Sequence, residues 1–180
     1  MGKKVLIISS SLRAGSNSEI LAREAEKGAV EAGHNVEFLR LKDKSVQFCR
    51  GCLACQKTQK CVISDDMNVM VDKVKNADVL IFATPIYYYE MSGLMKTFLD
   101  RCNPLFVSDY KFRDVYLITS SYDQADDACE RAAHGLEGWI VCFEKSRLAG
   151  VLNGGGLGDE KEALSHQELL QKAYQLGKNI

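Results

Sequence analysis

Short apolar segments alternate with amphipathic segments along most of the chain. A short run of branched apolar residues is typical of a buried strand, whereas apolar residues three or four positions apart indicate a helix. On this basis the sequence predicts five strands, at Lys3–Ser9, Asn35–Arg40, Ala77–Thr84, Val115–Thr119 and Trp139–Phe143. It predicts helices at Ser18–Ala32, Ser64–Lys75, Ser92–Cys102, Asp123–Leu136 and Glu160–Lys178.

Strands that alternate with helices in this way imply a parallel sheet with helices on both faces, which is an α/β fold. Because crossover connections between parallel strands are right-handed, two strand orders are common for such a sheet. A sheet of five strands favours the flavodoxin-like order 2-1-3-4-5. We therefore predict one flavodoxin-like domain over residues 1–180. In this arrangement a ligand binds beside the carboxyl ends of the first and third strands, so the loops that follow them should carry the chemistry.

The loop after the first strand, SSSLRAGSNS from residue 9 to 18, has the composition of a phosphate site. Hydroxyls, an amide and small residues precede a predicted helix, whose free N–H groups and dipole favour an anion. Arg13 adds a forked, charged donor. Capping of the helix would explain one of these residues but not the whole loop. The residues predicted to bind phosphate are Ser9, Ser11, Arg13, Ser16, Asn17 and Ser18.

Other nucleotide motifs are absent from this loop. It contains neither GxxxxGK[ST] nor GxGxxG, which excludes a P-loop NTPase and a dinucleotide Rossmann fingerprint at this turn. A glycine segment, GGGLG at residues 154–158, occurs late in the chain. Glycine clusters of this kind mark loops, and we predict a flexible loop there.

The loop after the third strand, TPIYYYEMSG from residue 84 to 93, is aromatic and apolar. A planar ring such as isoalloxazine needs flat apolar walls and polar donors at its edge. An aromatic lid or an oligomer contact is the alternative, and Ser92 could cap the next helix. The loop after the fourth strand closes the same edge of the sheet. The residues predicted for the ring site are Pro85, Ile86, Tyr87, Tyr88, Tyr89, Met91, Ser92, Gly93, Ser120 and Ser121.

Four of the seven cysteines lie in CRGCLACQKTQKC, from residue 49 to 61. Three cysteines separated by two residues each are typical of iron–sulfur ligation, whereas structural zinc more often uses two separated CxxC pairs. Redox-active or metal-free thiols remain an alternative, and a disulfide is not expected in a reducing compartment. Arg50, Lys57 and Lys60 would stabilise thiolates or an anionic cluster. The candidate metal ligands are Cys49, Cys52, Cys55 and Cys61.

Composition and charge narrow the choice of partners. The formal net charge is −1, so the chain lacks the basic character that binds nucleic acid or an anionic membrane surface. No apolar run approaches the roughly 20 residues of a bilayer span, and the first apolar segment is too short for a secretory signal. We expect a cytoplasmic protein with neither nucleic-acid nor membrane partners.

The two predicted binding loops resemble those of the flavodoxin-like NAD(P)H-dependent FMN reductases. The pattern SxRxxSNS at residues 11–18 is similar to that family's FMN phosphate loop, although Leu12 stands where proline is frequent. The segment TPIYYYEMSGLMKTFLDR, residues 84–101, is similar to its flavin-ring loop and the helix that follows. The cysteine segment followed by DDM resembles the iron–sulfur flavoprotein branch. The resemblance covers most of the first 105 residues and is only general beyond them.

This resemblance implies that the chain binds FMN and accepts two electrons from NADH or NADPH. The electrons would then pass to a small-molecule acceptor, such as a flavin or quinone, or to a redox protein. Because the flavin would perform the chemistry, we expect no general acid or base among the side chains. The resemblance further implies a [4Fe–4S] cluster on the four cysteines and a homodimer or tetramer. An iron–sulfur electron carrier and a non-catalytic flavodoxin-like binding module remain the alternatives.

Overall fold

A computed structural model describes residues 2–180 and contains a parallel five-stranded sheet. The strands run β2-β1-β3-β5-β6 across the sheet, which confirms the predicted order. A short strand, β4, pairs antiparallel with the end of β3. The strands are β1 (Lys4–Ser9), β2 (Asn35–Arg40), β3 (Val79–Tyr87), β4 (Glu90–Met91), β5 (Asp114–Ser120) and β6 (Arg147–Leu152).

Helices cover both faces of this sheet. They are α1 (Asn17–Glu31), α2 (Cys55–Thr58), α3 (Met67–Asn76), α4 (Gly93–Arg101), α5 (Glu130–Ile140) and α6 (Gln167–Lys178). Short 3₁₀ turns occur at Leu41–Asp43, Asn103–Val107 and Glu162–Ser165. Across the described residues 2–180, no helix has both the length and the apolar content that a membrane crossing requires.

The core consists of one apolar layer on each side of the sheet. Side chains of α3, α4 and α5 pack against one face, and side chains of α1 and α6 pack against the other. The residues of β1 after Lys4 and nearly all of β3 are buried, as expected for inner strands covered on both faces. Gly28 and Gly177 let α1 and α6 approach closely, because a Cβ at either position would overlap a backbone carbonyl of the other helix.

The predicted fifth strand at Trp139–Phe143 is wrong. Trp139 and Ile140 end α5, and the strand beside β5 is Arg147–Leu152 instead. The rings of Trp139 and Phe143 lie 4.5 Å apart between centroids, within an aromatic cluster of the core. A short apolar run does not distinguish a buried strand from the buried end of a helix. The true edge strand is half exposed and contains Gly150, which weakens its sequence signal.

Two predicted helices begin about seven residues later than expected, and α3 begins at Met67 rather than at Ser64. The residues before α5, from 123 to 129, form bends and turns, so α5 begins at Glu130 rather than at Asp123. The predicted helix Glu160–Lys178 is divided into a 3₁₀ turn at Glu162–Ser165 and the helix α6. The irregular segments that replace the predicted helical turns both border the candidate site.

Candidate functional site

Hydrogen bonds join the loops after β1 and β3 at the carboxyl edge of the sheet. The Ser10 backbone N–H donates to the Ala83 carbonyl at 3.0 Å, and the Ser10 and Ser92 hydroxyls lie 2.8 Å apart. The Ser92 backbone N–H donates to Thr84 Oγ1 at 3.0 Å, while its own hydroxyl accepts from the first turn of α4. Ser92 therefore caps α4, as the sequence allowed, and also fixes the two predicted binding loops relative to one another.

The loop after β1 leads directly into the amino end of α1. Ser16 Oγ accepts from the Glu19 backbone N–H at 3.4 Å and caps the helix. Ser9 is 1% exposed, and its hydroxyl has no hydrogen-bond partner in the described part of the chain. A buried hydroxyl without a partner is costly, but Ser9 lines neither of the cavities at this edge of the sheet. Arg13 is exposed, with Nη1 donating to the Gly158 carbonyl at 2.9 Å.

Two adjoining cavities lie at this edge of the sheet, with volumes of about 210 Å³ and about 830 Å³. Both are lined by Ile86, Tyr122 and Gly158, so they are parts of one continuous site. The predicted residues in the smaller cavity are Ser11, Arg13, Ser16, Asn17, Pro85, Ile86, Tyr87 and Ser120. The predicted residues in the larger cavity are Ile86, Tyr88, Tyr89 and Ser121.

The remaining predicted residues line neither cavity and have structural contacts instead. Ser18 is fully buried, with its hydroxyl 3.1 Å from the Ser16 hydroxyl. Met91 packs in the apolar core, and Gly93 begins α4 after the Ser92 cap. Together with the buried Ser9, these residues lie outside the cavity lining and belong to the structure that supports it.

The β3–β4 hairpin turns through two tyrosines in the left-handed region. Tyr88 has φ 52° and Tyr89 has φ 64°, as a two-residue type I′ turn requires. Such turns favour Asn and Gly, and a left-handed conformation costs other residues roughly 1–2 kcal/mol each. Strain of this kind clusters at functional sites. The turn leaves Tyr88 99% exposed and aims Tyr89 at the loop after β5.

Tyr89 connects two walls of the larger cavity. Its hydroxyl donates to Asp123 Oδ2 at 2.9 Å. That hydrogen bond raises the pKa of Tyr89, whereas the Ala125 backbone N–H and then the Tyr89 hydroxyl lower the pKa of Asp123. The phenol is therefore held protonated and the carboxyl group ionised around neutral pH.

The glycine segment at residues 154–158, predicted to be a flexible loop, forms part of the site. The Ser121 N–H donates to the Gly154 carbonyl at 3.0 Å, and the Leu157 N–H donates to the Ser121 carbonyl at 2.7 Å. Asn17 Nδ2 donates to the carbonyls of Leu157 and Asp159 at 3.3 and 2.8 Å. Gly158 leaves room for the Tyr122 ring, because a Cβ there would overlap it. The segment is thus attached to both the β1 and β5 loops.

Sequence reasoning missed part of the larger cavity. The sequence placed the loop after the fourth strand at this edge, but only Ser120 and Ser121 of that loop were predicted site residues, whereas Tyr122 and Asp123 also line the larger cavity. Asp159 and Glu162 gave no local signal, since their segment is held at the site by hydrogen bonds to Asn17 and Gly15, about 140 residues earlier. Long-range contacts of this type are invisible to a residue pattern.

The four cysteines of the 49–61 loop lie away from both cavities. Cys55 is buried and accepts from Asn103 Nδ2 at 3.5 Å, while Cys61 Sγ accepts from Arg101 Nη2 at 3.4 Å. Burial, followed by the neighbouring thiols, raises the pKa of Cys55. In residues 2–180 no three His, Cys, Asp or Glu side chains are gathered to hold a metal ion. Four thiols are the donor set that an iron–sulfur cluster uses, although the described residues do not bring three of them together as metal ligands.

A buried ion pair joins the two ends of the cysteine loop. Arg101 donates to both carboxylate oxygens of Asp65, at 2.7 and 2.8 Å, and also to the Gln47 carbonyl at 2.7 Å. The exposed fractions of the two side chains are 0% and 1%. Burial alone would raise the pKa of Asp65, but hydrogen bonds from Arg101 and two backbone N–H groups hold it below its ordinary value. Sequence reasoning assigned no role to Arg101.

Fold and site together define a flavodoxin-like protein whose ligand cavity lies where the β1 and β3 loops meet. A family model described as NADPH-dependent FMN reductase matches residues 3–143. The chain belongs to this family, as its two loops predicted.

Relatives and solved structures agree with this assignment. An iron–sulfur flavoprotein of Archaeoglobus fulgidus is 35% identical over 182 residues, covering 99% of this chain and 78% of the relative. One from Methanocaldococcus jannaschii is 39% identical over 102 residues, covering 57% of this chain and 53% of the relative, so the match spans about half of that protein. The structure of an NAD(P)H:quinone oxidoreductase from Methanothermobacter marburgensis has a TM-score of 0.73 at 16% identity, covering 99% and 97% of the two chains. The last comparison shows the fold alone.

Proposed function

We propose that this protein is an FMN-dependent oxidoreductase that accepts electrons from NAD(P)H and passes them to a second acceptor. One observation carries the proposal: the cavity at the amino end of α1, which Arg13 lines, continues into a larger cavity lined by three tyrosines. The two cavities share Ile86, Tyr122 and Gly158. A molecule with a phosphate at one end and a flat ring at the other matches this division. Family membership supports the same assignment.

The smaller cavity suits the phosphate of FMN. The amino end of α1 offers N–H groups and the positive end of the helix dipole, and Arg13 adds a full positive charge. These groups would bind and orient the phosphate.

The larger cavity suits the flavin ring. Ile86, Tyr88 and Tyr89 line this cavity from the end of β3 and the hairpin turn, and Tyr122 lines it from the loop after β5. These side chains would hold a planar ring and exclude water from one face. A bound flavin accepts two electrons from a nicotinamide and delivers them onward, so the protein's contribution is placement and electrostatics.

The acceptor and the assembly are further parts of the proposal. A quinone or a second flavin is the acceptor class we favour, with a redox protein as the alternative. The name of the quinone oxidoreductase with the same fold supports a small-molecule acceptor. We propose a homodimer or tetramer, and a cytoplasmic location in which the seven cysteines remain free thiols, as they are here.

Anaerobic reduction of the FMN-loaded protein tests this function. We expect NADH or NADPH to bleach the visible absorption of the bound flavin, and an added quinone to restore it. If the protein retains FMN but neither NADH nor NADPH reduces it, the proposed reductase activity is contradicted and an electron carrier is favoured. Failure to bind FMN would contradict both and leave a flavodoxin-like binding module.

An iron–sulfur electron carrier is the second candidate, because Arg101 and Asn103 already donate to the sulfurs of Cys61 and Cys55. N–H donors of this kind stabilise sulfur ligands. The names of the relatives support this reading. Since no metal-holding group is formed in residues 2–180, cluster binding would require the cysteine loop to rearrange. Iron and acid-labile sulfide in anaerobically purified protein would support the cluster, and their absence would exclude it.

A further inference from the structure

The larger cavity carries acidic groups and no Lys, Arg or His among its lining residues. Asp123, Asp159 and Glu162 contribute the carboxyl groups, whereas Arg13 lines only the smaller cavity. We infer that the electron acceptor entering this cavity is an uncharged or cationic aromatic molecule, such as a quinone or riboflavin, and that anionic acceptors, including FMN and FAD, are disfavoured. This inference rests on the proposed function, since it concerns the molecule that the flavin would reduce.

Asp123 is a fixed negative charge in the cavity wall. It accepts hydrogen bonds from the Tyr89 hydroxyl at 2.9 Å and from the Ala125 backbone N–H at 3.0 Å. These contacts lower its pKa and hold its carboxylate in one orientation. An acceptor that passes Tyr89 on its way to the ring therefore meets this charge.

Asp159 and Glu162 are held beside each other on a segment anchored to the phosphate loop. The Asp159 backbone N–H donates to Glu162 Oε2 at 2.9 Å. Asn17 donates to the Asp159 carbonyl at 2.8 Å and accepts from the Ala163 N–H at 3.1 Å. The segment therefore keeps the two carboxyl groups beside the flavin site.

Three carboxyl groups around one cavity should discriminate between acceptors by charge. Fields in charged clefts change association rates by roughly 10- to 1,000-fold and are screened by salt. The phosphate of FMN would add negative charge, which Arg13 partly offsets.

Three quinones with the same ring test the inference, each with an alkyl tail ending in trimethylammonium, hydroxyl or sulfonate. The tail is insulated from the ring, so the three have matched reduction potentials. Stopped-flow absorption follows the reoxidation of reduced flavin in the FMN-loaded protein. Two electrons and two protons pass to each quinone, giving hydroquinone and oxidised flavin. At low salt we expect the cationic quinone to react about tenfold faster than the anionic one, with salt reducing that ratio.

Charge-neutral variants identify the source of the discrimination. In the double variant Asp159→Asn/Glu162→Gln the new side chains have nearly the same size as the old ones, and the glutamine oxygen can still accept from the backbone N–H of residue 159. This variant should bring the ratio of the cationic to the anionic rate towards one. Asp109→Asn/Glu144→Gln is the matched control, because it also removes two carboxylates, both exposed and lining neither cavity. Its rate ratio should equal that of the native protein. A native ratio near one, or an unchanged ratio in the double variant, would overturn the inference. If none of the three quinones reoxidises the flavin, the proposed function fails instead.

Discussion

Replacing Arg101 by methionine is expected to reduce the free energy of unfolding by about 3–5 kcal/mol, the usual effect of removing one partner of a buried ion pair. The variant loses two hydrogen bonds to Asp65 and one to the Gln47 carbonyl, and leaves a carboxylate that is 1% exposed without its cation. Urea denaturation at neutral pH measures the change. A decrease below about 1 kcal/mol would contradict the assigned role.

The loss of stability in Arg101→Met should depend on pH. In the native protein the pKa of Asp65 is held below 3.8, so its stabilising contribution is present above that pH and is lost as the pH falls through the folded-state pKa. Without Arg101, burial is opposed only by backbone N–H donors, so the pKa of Asp65 should rise. The difference between variant and native protein should therefore shrink as the pH falls from 7 towards about 4.

An exposed ion pair within α4, the helix that contains Arg101, provides the control. Lys96 and Asp100 are 2.6 Å apart in α4, with side chains 60% and 48% exposed. Lys96→Met should cost no more than about 0.5 kcal/mol, since exposed pairs four residues apart contribute little. Adding Asp65→Asn to Arg101→Met should recover part of the loss by removing the unpaired charge.

Arg13→Ala should raise the dissociation constant of FMN roughly 10- to 100-fold, because a charge-assisted hydrogen bond contributes about 1.5–3 kcal/mol. The expected contact is with the phosphate, so riboflavin, which has none, should bind the variant and the native apoprotein equally well. Quenching of flavin fluorescence measures both affinities. Equal weakening for the two flavins would instead indicate loss of the Gly158 contact and a disturbed site.

Two further variants make this result specific. Arg13→Lys keeps the charge but not the forked donor, so its FMN affinity should lie between those of the native protein and Arg13→Ala. Arg147→Ala removes one positive charge at the opposite edge of the sheet, where Arg147 pairs with Asp114. It should leave FMN affinity unchanged. Native-like FMN affinity in Arg13→Ala would refute the phosphate assignment.

Local sequence was sufficient wherever a segment's own residues decide its structure. The alternation of apolar strands and amphipathic helices predicted the sheet order, and two loops predicted the edge at which the cavities lie. The local sequence pattern was misleading at Trp139–Phe143, because five consecutive apolar residues suit a buried strand as well as the end of α5. The weak pattern of Arg147–Leu152 became a strand only because β5 offered an edge with which to pair.

The sequence by itself determined the flavodoxin-like framework, the polar loop at the start of α1 and the aromatic loop after β3, because each depends on neighbouring residues. Only the tertiary structure decided that Asp159 and Glu162 join the site through Asn17, and that Arg101 ties the cysteine loop to α4. It also separated the four cysteines from both cavities. These features depend on hydrogen bonds between residues far apart in the chain, whose partners are chosen only when the helices pack on the sheet.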